Sequence, residues 1–278
     1  MRLANRRAGA VEGLKMKDKR LGDHAMKRPT LEDIRAGGFS TPWDAPTIPP
    51  FPFQFREARI LTVFYRTDPE AVALLVPPPL EAAGDVVAIH IYDMPDTDWI
   101  GPYGECNVMV PARFRSGPTG GYSPYLFLSS EVGVTHGREI HGQPKKLGNV
   151  TLASRGDLVV GRVERNGIDV ITATAPYKQS KADPSALRQF FDISTNLNLK
   201  AIDHIDGRPA IRQITSRKLA ELTVHECWGG PCTVELRPNA QAPVFRLPVR
   251  EMLAGYFWRA TFTLVPGEIL FDYLADGP

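Results

Sequence analysis

The sequence predicts an α+β domain that is mostly antiparallel sheet. Three observations carry this expectation. Short runs rich in β-branched and aromatic residues succeed one another between Arg59 and Ala173, a composition that suits a pleated, half-buried surface. Turn signals separate them, the clearest being Asn166-Gly167, a pair that two-residue hairpins favour because both central residues take positive φ. Helical spacing is confined to short stretches, the clearest of which opens at Asp183-Pro184.

In chain order, residues 1 to 28 are rich in Lys and Arg and poor in aromatics, which predicts a mobile, solvated arm. Thr30-Leu31-Glu32-Asp33 reads as a helix start and Gly37-Gly38 as its stop. A Pro-rich extended segment follows, so residues 1–50 are assigned as a basic, Pro-rich arm and 51–278 as one domain. Arg59 to Tyr65 reads as a strand. Asp68 followed by Pro69 reads as an N-cap with proline at the first helical position, opening a short helix that Pro77-Pro78-Pro79 ends. Strands are expected at Val86 to Tyr92, Glu105 to Phe114, Tyr125 to Leu128, Val150 to Leu152, Leu158 to Val163 and Ile168 to Ala173. Leu187, Phe190, Phe191 and Ile193 are spaced for the buried face of a helix after Asp183. Ile211 to Glu226 reads as one long bent strand or a pair, Leu247 to Leu253 as a short helix, and Phe257 to Val265 and Glu268 to Leu274 as closing strands.

Composition narrows the function classes. Hydrophobic residues make up 43% and charged residues 23% of the 278, an ordinary globular balance. A formal net charge of +2 argues against a nucleic-acid or membrane partner. Three cysteines, Cys106, Cys227 and Cys232, lack metal-ligand spacing and fit a reducing, cytoplasmic setting. No apolar run has the length of a membrane span, and the basic start lacks the apolar segment of a secretory signal.

One stretch stands apart: Gly137-Arg138-Glu139-Ile140-His141-Gly142-Gln143-Pro144-Lys145-Lys146-Leu147-Gly148. Two adjacent lysines sit between glycines in apolar, strand-like surroundings. An ordinary lysine, with a pKa of ~10.4, is protonated at pH 7 and has no lone pair to offer. A neighbouring cation or desolvation disfavours the charged form. Lys146 suggests the first route for Lys145, and the apolar flanks suggest the second. A pKa of ~6 would raise the neutral fraction at pH 7 from below roughly 0.1% to about 90%. The free amine could then form a Schiff base with a ketone.

This stretch resembles the signature of the acetoacetate decarboxylase family. Phe64-Tyr65-Arg66-Thr67-Asp68, Ala175-Pro176-Tyr177-Lys178, Leu222 to Pro231 and Phe271-Asp272-Tyr273-Leu274 are similar to further family segments, so the resemblance covers roughly residues 50 to 275. It implies a conical, antiparallel β-barrel-like fold with a few short helices, around an apolar cavity, in a homo-oligomer. It implies that Lys145 forms the Schiff base with a small-molecule keto acid, that Lys146 neighbours it, and that Glu105 moves a proton. Acetoacetate decarboxylase is itself the standing example of a lysine activated by a cationic neighbour. The implied activity is a cofactor-independent, metal-independent carboxy-lyase that decarboxylates a β-keto acid through an iminium and an enamine. Arg138 and Glu139 belong to the signature and are expected to brace the lysine loop through buried ion pairs.

Departures from the family pattern leave alternatives open. The early family arginine falls near Ala58, with Arg56 and Arg59 out of register, and a second glutamate position falls on His90. A histidine there could be neutral or cationic near pH 7. His141 stands where relatives that carry out aldol condensation and dehydration commonly have glutamine. A Schiff-base aldolase-dehydratase acting on pyruvate-like 2-oxo acids, and a non-catalytic small-ligand binder, remain beside the decarboxylase.

Overall fold

Sixteen strands form among the described residues, and seven of them close into a barrel. The computed structural model describes residues 28–36, 40–43, 45–48, 50–117 and 119–275. The expected mobile arm up to Arg28 and the Gly37-Gly38 helix stop lie essentially outside them. The elements run α1 (Leu31–Ala36), β1 (Phe53–Arg66), α2 (Pro69–Ala73), β2 (Leu80–Ala82), β3 (Val86–Met94), β4 (Asp96–Thr97), β5 (Tyr103–Phe114) and β6 (Gly120–Leu128). Then come α3 (Glu131–His136), β7 (Lys145–Leu147), β8 (Asn149–Arg155), β9 (Leu158–Arg165), β10 (Ile168–Pro176) and β11 (Ser180–Lys181). The chain ends with β12 (Asp192–Asp203), β13 (Pro209–Gly230), β14 (Thr233–Leu236), β15 (Glu251–Leu264) and β16 (Glu268–Asp272).

The barrel order is β5-β3-β1-β15-β13-β12-β6, and the β6–β5 pairing closes it. Only β12–β6 is parallel within the ring, and β7 adds to β6 in parallel. A second sheet, β14-β10-β9-β8, covers one outer face. There Ile89, Ile91, Cys106 and Val108 of the barrel share a core with Val159, Val163 and Ile171. Gly161 permits that approach, because a Cβ there would lie 2.5 Å from the Ile91 side chain. Covering the outside explains why β5 is buried on both faces from Tyr103 to Ala112. Its odd positions, such as Glu105, Asn107 and Met109, point into the barrel and its even ones lie under the second sheet.

Local sequence explains much of this. Thr30 and Asp33 cap α1 reciprocally, with Asp33 N donating to Thr30 Oγ1 at 3.1 Å and Thr30 N to Asp33 Oδ2 at 2.9 Å. Asn166 and Gly167 both take positive φ, 56° and 79°, in the β9–β10 hairpin. Pro69 does open α2, but the Asp68 carboxylate leaves the cap to pair with Arg250 at 2.7 and 2.8 Å. The expected long strand from Ile211 is one strand of 22 residues, bent at two register shifts.

Two expected helices are not there. After Asp183 only a 3₁₀ turn forms, Pro184–Arg188. Asp192 then accepts hydrogen bonds from Ser194 N, Ser194 Oγ and Thr195 Oγ1 at 2.6–3.0 Å, and the chain turns into β12. Such local side-chain bonds compete with helix, while Phe191 packs with Phe64 and Met109. Leu247 to Leu253 is extended as well, entering β15 at Glu251. Arg250 N bonds Arg66 O, and the ladder on β1 begins at Arg66–Glu251, so an available sheet edge overrides the weak helical pattern. No helix among the described residues is long and apolar enough to cross a membrane.

Candidate active site

The glycine-lysine stretch forms a plug that ends inside the barrel. Ser130 caps α3 by accepting from Gly133 N at 3.2 Å. The helix widens into a single π turn, Gly137–His141, and stops at Gly142, whose φ of 76° and 2.4 Å clearance from Lys200 Cβ require glycine. Thr215 Oγ1 on β13 donates to His141 O at 2.6 Å, and Lys200 Nζ on β12 to Ile140 O at 3.2 Å, fastening the plug to the wall. Pro144 then leads into β7, where Lys145 pairs with Leu126 of β6.

Strand alternation separates the two lysines. Lys145 points inward and is 7% exposed, whereas Lys146 is exposed and donates to Gln241 O at 2.7 Å. Gly137 makes room for the inward stem, since a Cβ there would lie 2.3 Å from Lys145 Cδ. Gln143 Nε2 donates to Asn196 Oδ1 at 2.9 Å and fixes the turn before the lysine.

Lys145 Nζ lies 3.1 Å from Glu105 Oε2, and both side chains are buried. The lysine pKa is lowered. Burial is the main cause, Glu105 opposes it, and the Arg217 guanidinium adds to it. The cationic neighbour is therefore Arg217 of β13, not the adjacent Lys146. Lys146→Met is accordingly expected to leave the acid limb of any Lys145-dependent rate unmoved. It should change kcat/KM by less than about threefold, the ~0.5 kcal/mol scale of surface substitutions. An acid limb displaced to higher pH in that variant would restore Lys146 to the role.

Two histidines of the plug lie close by. His136 and His141 have ring centroids 5.2 Å apart, and Phe51 lies 5.1 Å from His136 and 5.5 Å from His141. Burial first, then the nearby cations, pushes His136 down to about 3 and His141 to about 2, so both are neutral at working pH. His90 is also held neutral, its pKa pushed to about 3 by burial. Of the two states left open for it near pH 7, neutral and cationic, burial favours the neutral one. His90 Nδ1 meets Thr62 Oγ1 at 2.8 Å, and Trp258 Nε1 donates to the same oxygen at 2.9 Å. Thr62→Val should leave both rings unpaired in the core and destabilise the fold by about 1–3 kcal/mol for each polar group. Urea denaturation measures this, and a loss below about 0.5 kcal/mol would mean the contacts are not holding the wall together.

Arg138 and Glu139 are exposed rather than joined in buried ion pairs. Arg138 Nη1 donates to Lys145 O at 3.3 Å, bracing β7 through its backbone, and Glu139 acts on Lys200. Of the β1 residues, Ala58 is fully buried in apolar core, while Arg56 pairs with Asp98 and Arg59 with Asp93 at the surface. Sequence reasoning missed Arg217, His136 and Asn196. His136 adjoins the motif, but nothing in the spacing of β12 or β13 ties the other two to it. Among the described residues no group of three His, Cys, Asp or Glu side chains is placed to hold a metal ion.

A family model described as acetoacetate decarboxylase (ADC) matches residues 39–274. The chain belongs to the acetoacetate decarboxylase family. Acetoacetate decarboxylase 1 of Bradyrhizobium diazoefficiens is 37% identical over 245 residues, which cover 88% of this chain and 97% of the relative. A solved acetoacetate decarboxylase structure superposes with a TM-score of 0.82 at 34% identity, covering 88% of this chain and all of the other. The enduracididine biosynthesis enzyme MppR, solved in complex with pyruvate, shares the fold at a TM-score of 0.69 and 18% identity over 83% of this chain and 94% of its own. The mostly-β, barrel-like expectation thus agrees with the family fold, and the signature around Lys145 lies within the matched region.

Proposed function

We propose that the protein is a carboxy-lyase that decarboxylates a β-keto acid through a Schiff base on Lys145. The observation that carries this reading is an amine buried inside the barrel, its pKa lowered, 3.1 Å from a single carboxylate. The family relatives' activity supports the substrate class. The Nζ lone pair attacks the ketone carbon; one proton is taken up and water leaves, giving an iminium. The bond to the carboxylate then breaks. Carbon dioxide leaves, and the electron pair becomes the enamine double bond as the iminium nitrogen is neutralised. Protonation of the enamine carbon and addition of water return the free amine and release a ketone. Glu105 is the group in reach of Nζ to carry these protons.

Borohydride reduction in the presence of acetoacetate, followed by peptide mass spectrometry, is expected to place a reduced adduct on Lys145. An adduct on another lysine would overturn the assignment. His141, within electrostatic reach of Lys145, is the observation that keeps aldol condensation and dehydration as the second reading. Pyruvate with an aldehyde, scored for enone against carbon dioxide release from acetoacetate, separates the two.

A further inference from the structure

The barrel interior holds a guanidinium with unused donors. Arg217 lies on β13 opposite Asn196, the residue that anchors Gln143 beside the lysine. Its Nε and Nη1 are shut off from solvent and have no hydrogen-bond partner. Leaving a buried donor unpaired is unfavourable, and more so when the group is charged. The titratable groups that interact with Arg217 are Glu105 on β5, Tyr92 and Tyr103 on the neighbouring wall, Lys145 on β7, and His136 and His141 on the plug. None of them is bonded to Nε or Nη1, so two shielded donors of a cation are left open within electrostatic reach of the lysine.

We propose that Arg217 binds the carboxylate of the keto-acid substrate and thereby sets which end of that substrate meets Lys145. The inference rests on the Schiff-base reading. Charge counting favours it. Both histidines are neutral, and burial raises the tyrosines so that they are neutral too. With a free amine, Glu105 as carboxylate and Arg217 as cation, the empty site sums to zero. Adding a keto-acid anion and the one proton taken up in forming the iminium again gives zero. Loss of carbon dioxide leaves a neutral enamine, and the sum is still zero. Without Arg217 each of these states would bury a net negative charge, which a low-dielectric interior opposes. Arginine suits the task because it holds its proton when buried and presents a planar fork to a carboxylate. β1 supplies no substitute, since Arg56 and Arg59 are engaged outside and Ala58 has no charge to offer.

The test compares a keto acid with a ketone lacking the carboxylate. Wild-type protein, Arg217→Gln and Arg217→Lys are reduced with borohydride in the presence of acetoacetate or acetone, and adducts on Lys145 are counted against ligand concentration. Removing the Arg217 cation also raises the Lys145 pKa, and the acetone arm corrects for that. Arg217→Gln is expected to keep acetone labelling but to need about 10- to 100-fold more acetoacetate relative to acetone, the scale of a lost charged hydrogen bond. Arg217→Lys, a point charge without the fork, should fall between, and it carries the same comparison if the glutamine variant does not fold. An acetoacetate-to-acetone ratio equal to that of wild type in the variants overturns the role of Arg217 and leaves the Schiff base standing. Wild-type protein labelled by neither compound overturns the Schiff-base reading itself.

Discussion

Lys145→Arg is expected to abolish turnover, lowering kcat by on the order of 10⁴-fold or more, while the barrel stays folded. Removing a covalent nucleophile has effects of this size elsewhere. Arginine keeps its proton at every accessible pH, so the lone pair that attacks the ketone never appears. It also keeps a cation opposite Glu105. Truncation to alanine would instead leave that carboxylate buried beside an empty space, at a cost of about 3–5 kcal/mol. The arginine variant therefore separates chemistry from folding. Carbon dioxide release and a thermal melt are the measurements. Near-normal turnover from a folded Lys145→Arg protein would end the covalent mechanism.

Glu105→Gln is expected to lower the maximal rate by about 10²- to 10⁴-fold, the usual loss when a positioned proton carrier is removed. It should also move the acid limb of the pH–rate profile, and the direction is set by the structure. Glu105 raises the Lys145 pKa against the lowering by burial and Arg217. Taking the carboxylate away lets the pKa fall further, so the amine stays free to lower pH and the limb shifts toward acid. A limb that shifts toward alkali instead would mean that Glu105 does not stabilise the charged amine. In the wild-type protein the rate is expected to fall as pH drops through the lowered Lys145 value, because protonation would remove the proposed nucleophile.

Much of the fold was legible along the chain. β-Branched and aromatic runs and hairpin signals located β1, β3, β5, β6, β8, β9 and β10 but not the short β2, β4 and β7, and the Asn166-Gly167 turn took the predicted form because its positive φ angles are a local requirement. Helix against strand was harder after Asp183 and after Leu247. Both stretches carry helical spacing, but after Asp183 the Asp192 side chain takes local bonds from Ser194 and Thr195 and turns the chain into a strand, and after Leu247 the backbone of β1 was available, which is not local information. Membership of the signature implies buried ion pairs for Arg138 and Glu139, yet the π turn at Gly137 carries both to the outside.

By itself the sequence determined the mostly-β class, which is written in short-range composition and turn signals, while Lys145 and Glu105 became candidates through the resemblance of their segments to the family signature. Only the tertiary structure decided which cation faces that lysine. Strand alternation turns Lys146 away, and barrel closure brings Arg217 from a distant strand within electrostatic reach of Lys145. Electrostatic coupling depends on distance and burial through space, and those are set when the sheet closes.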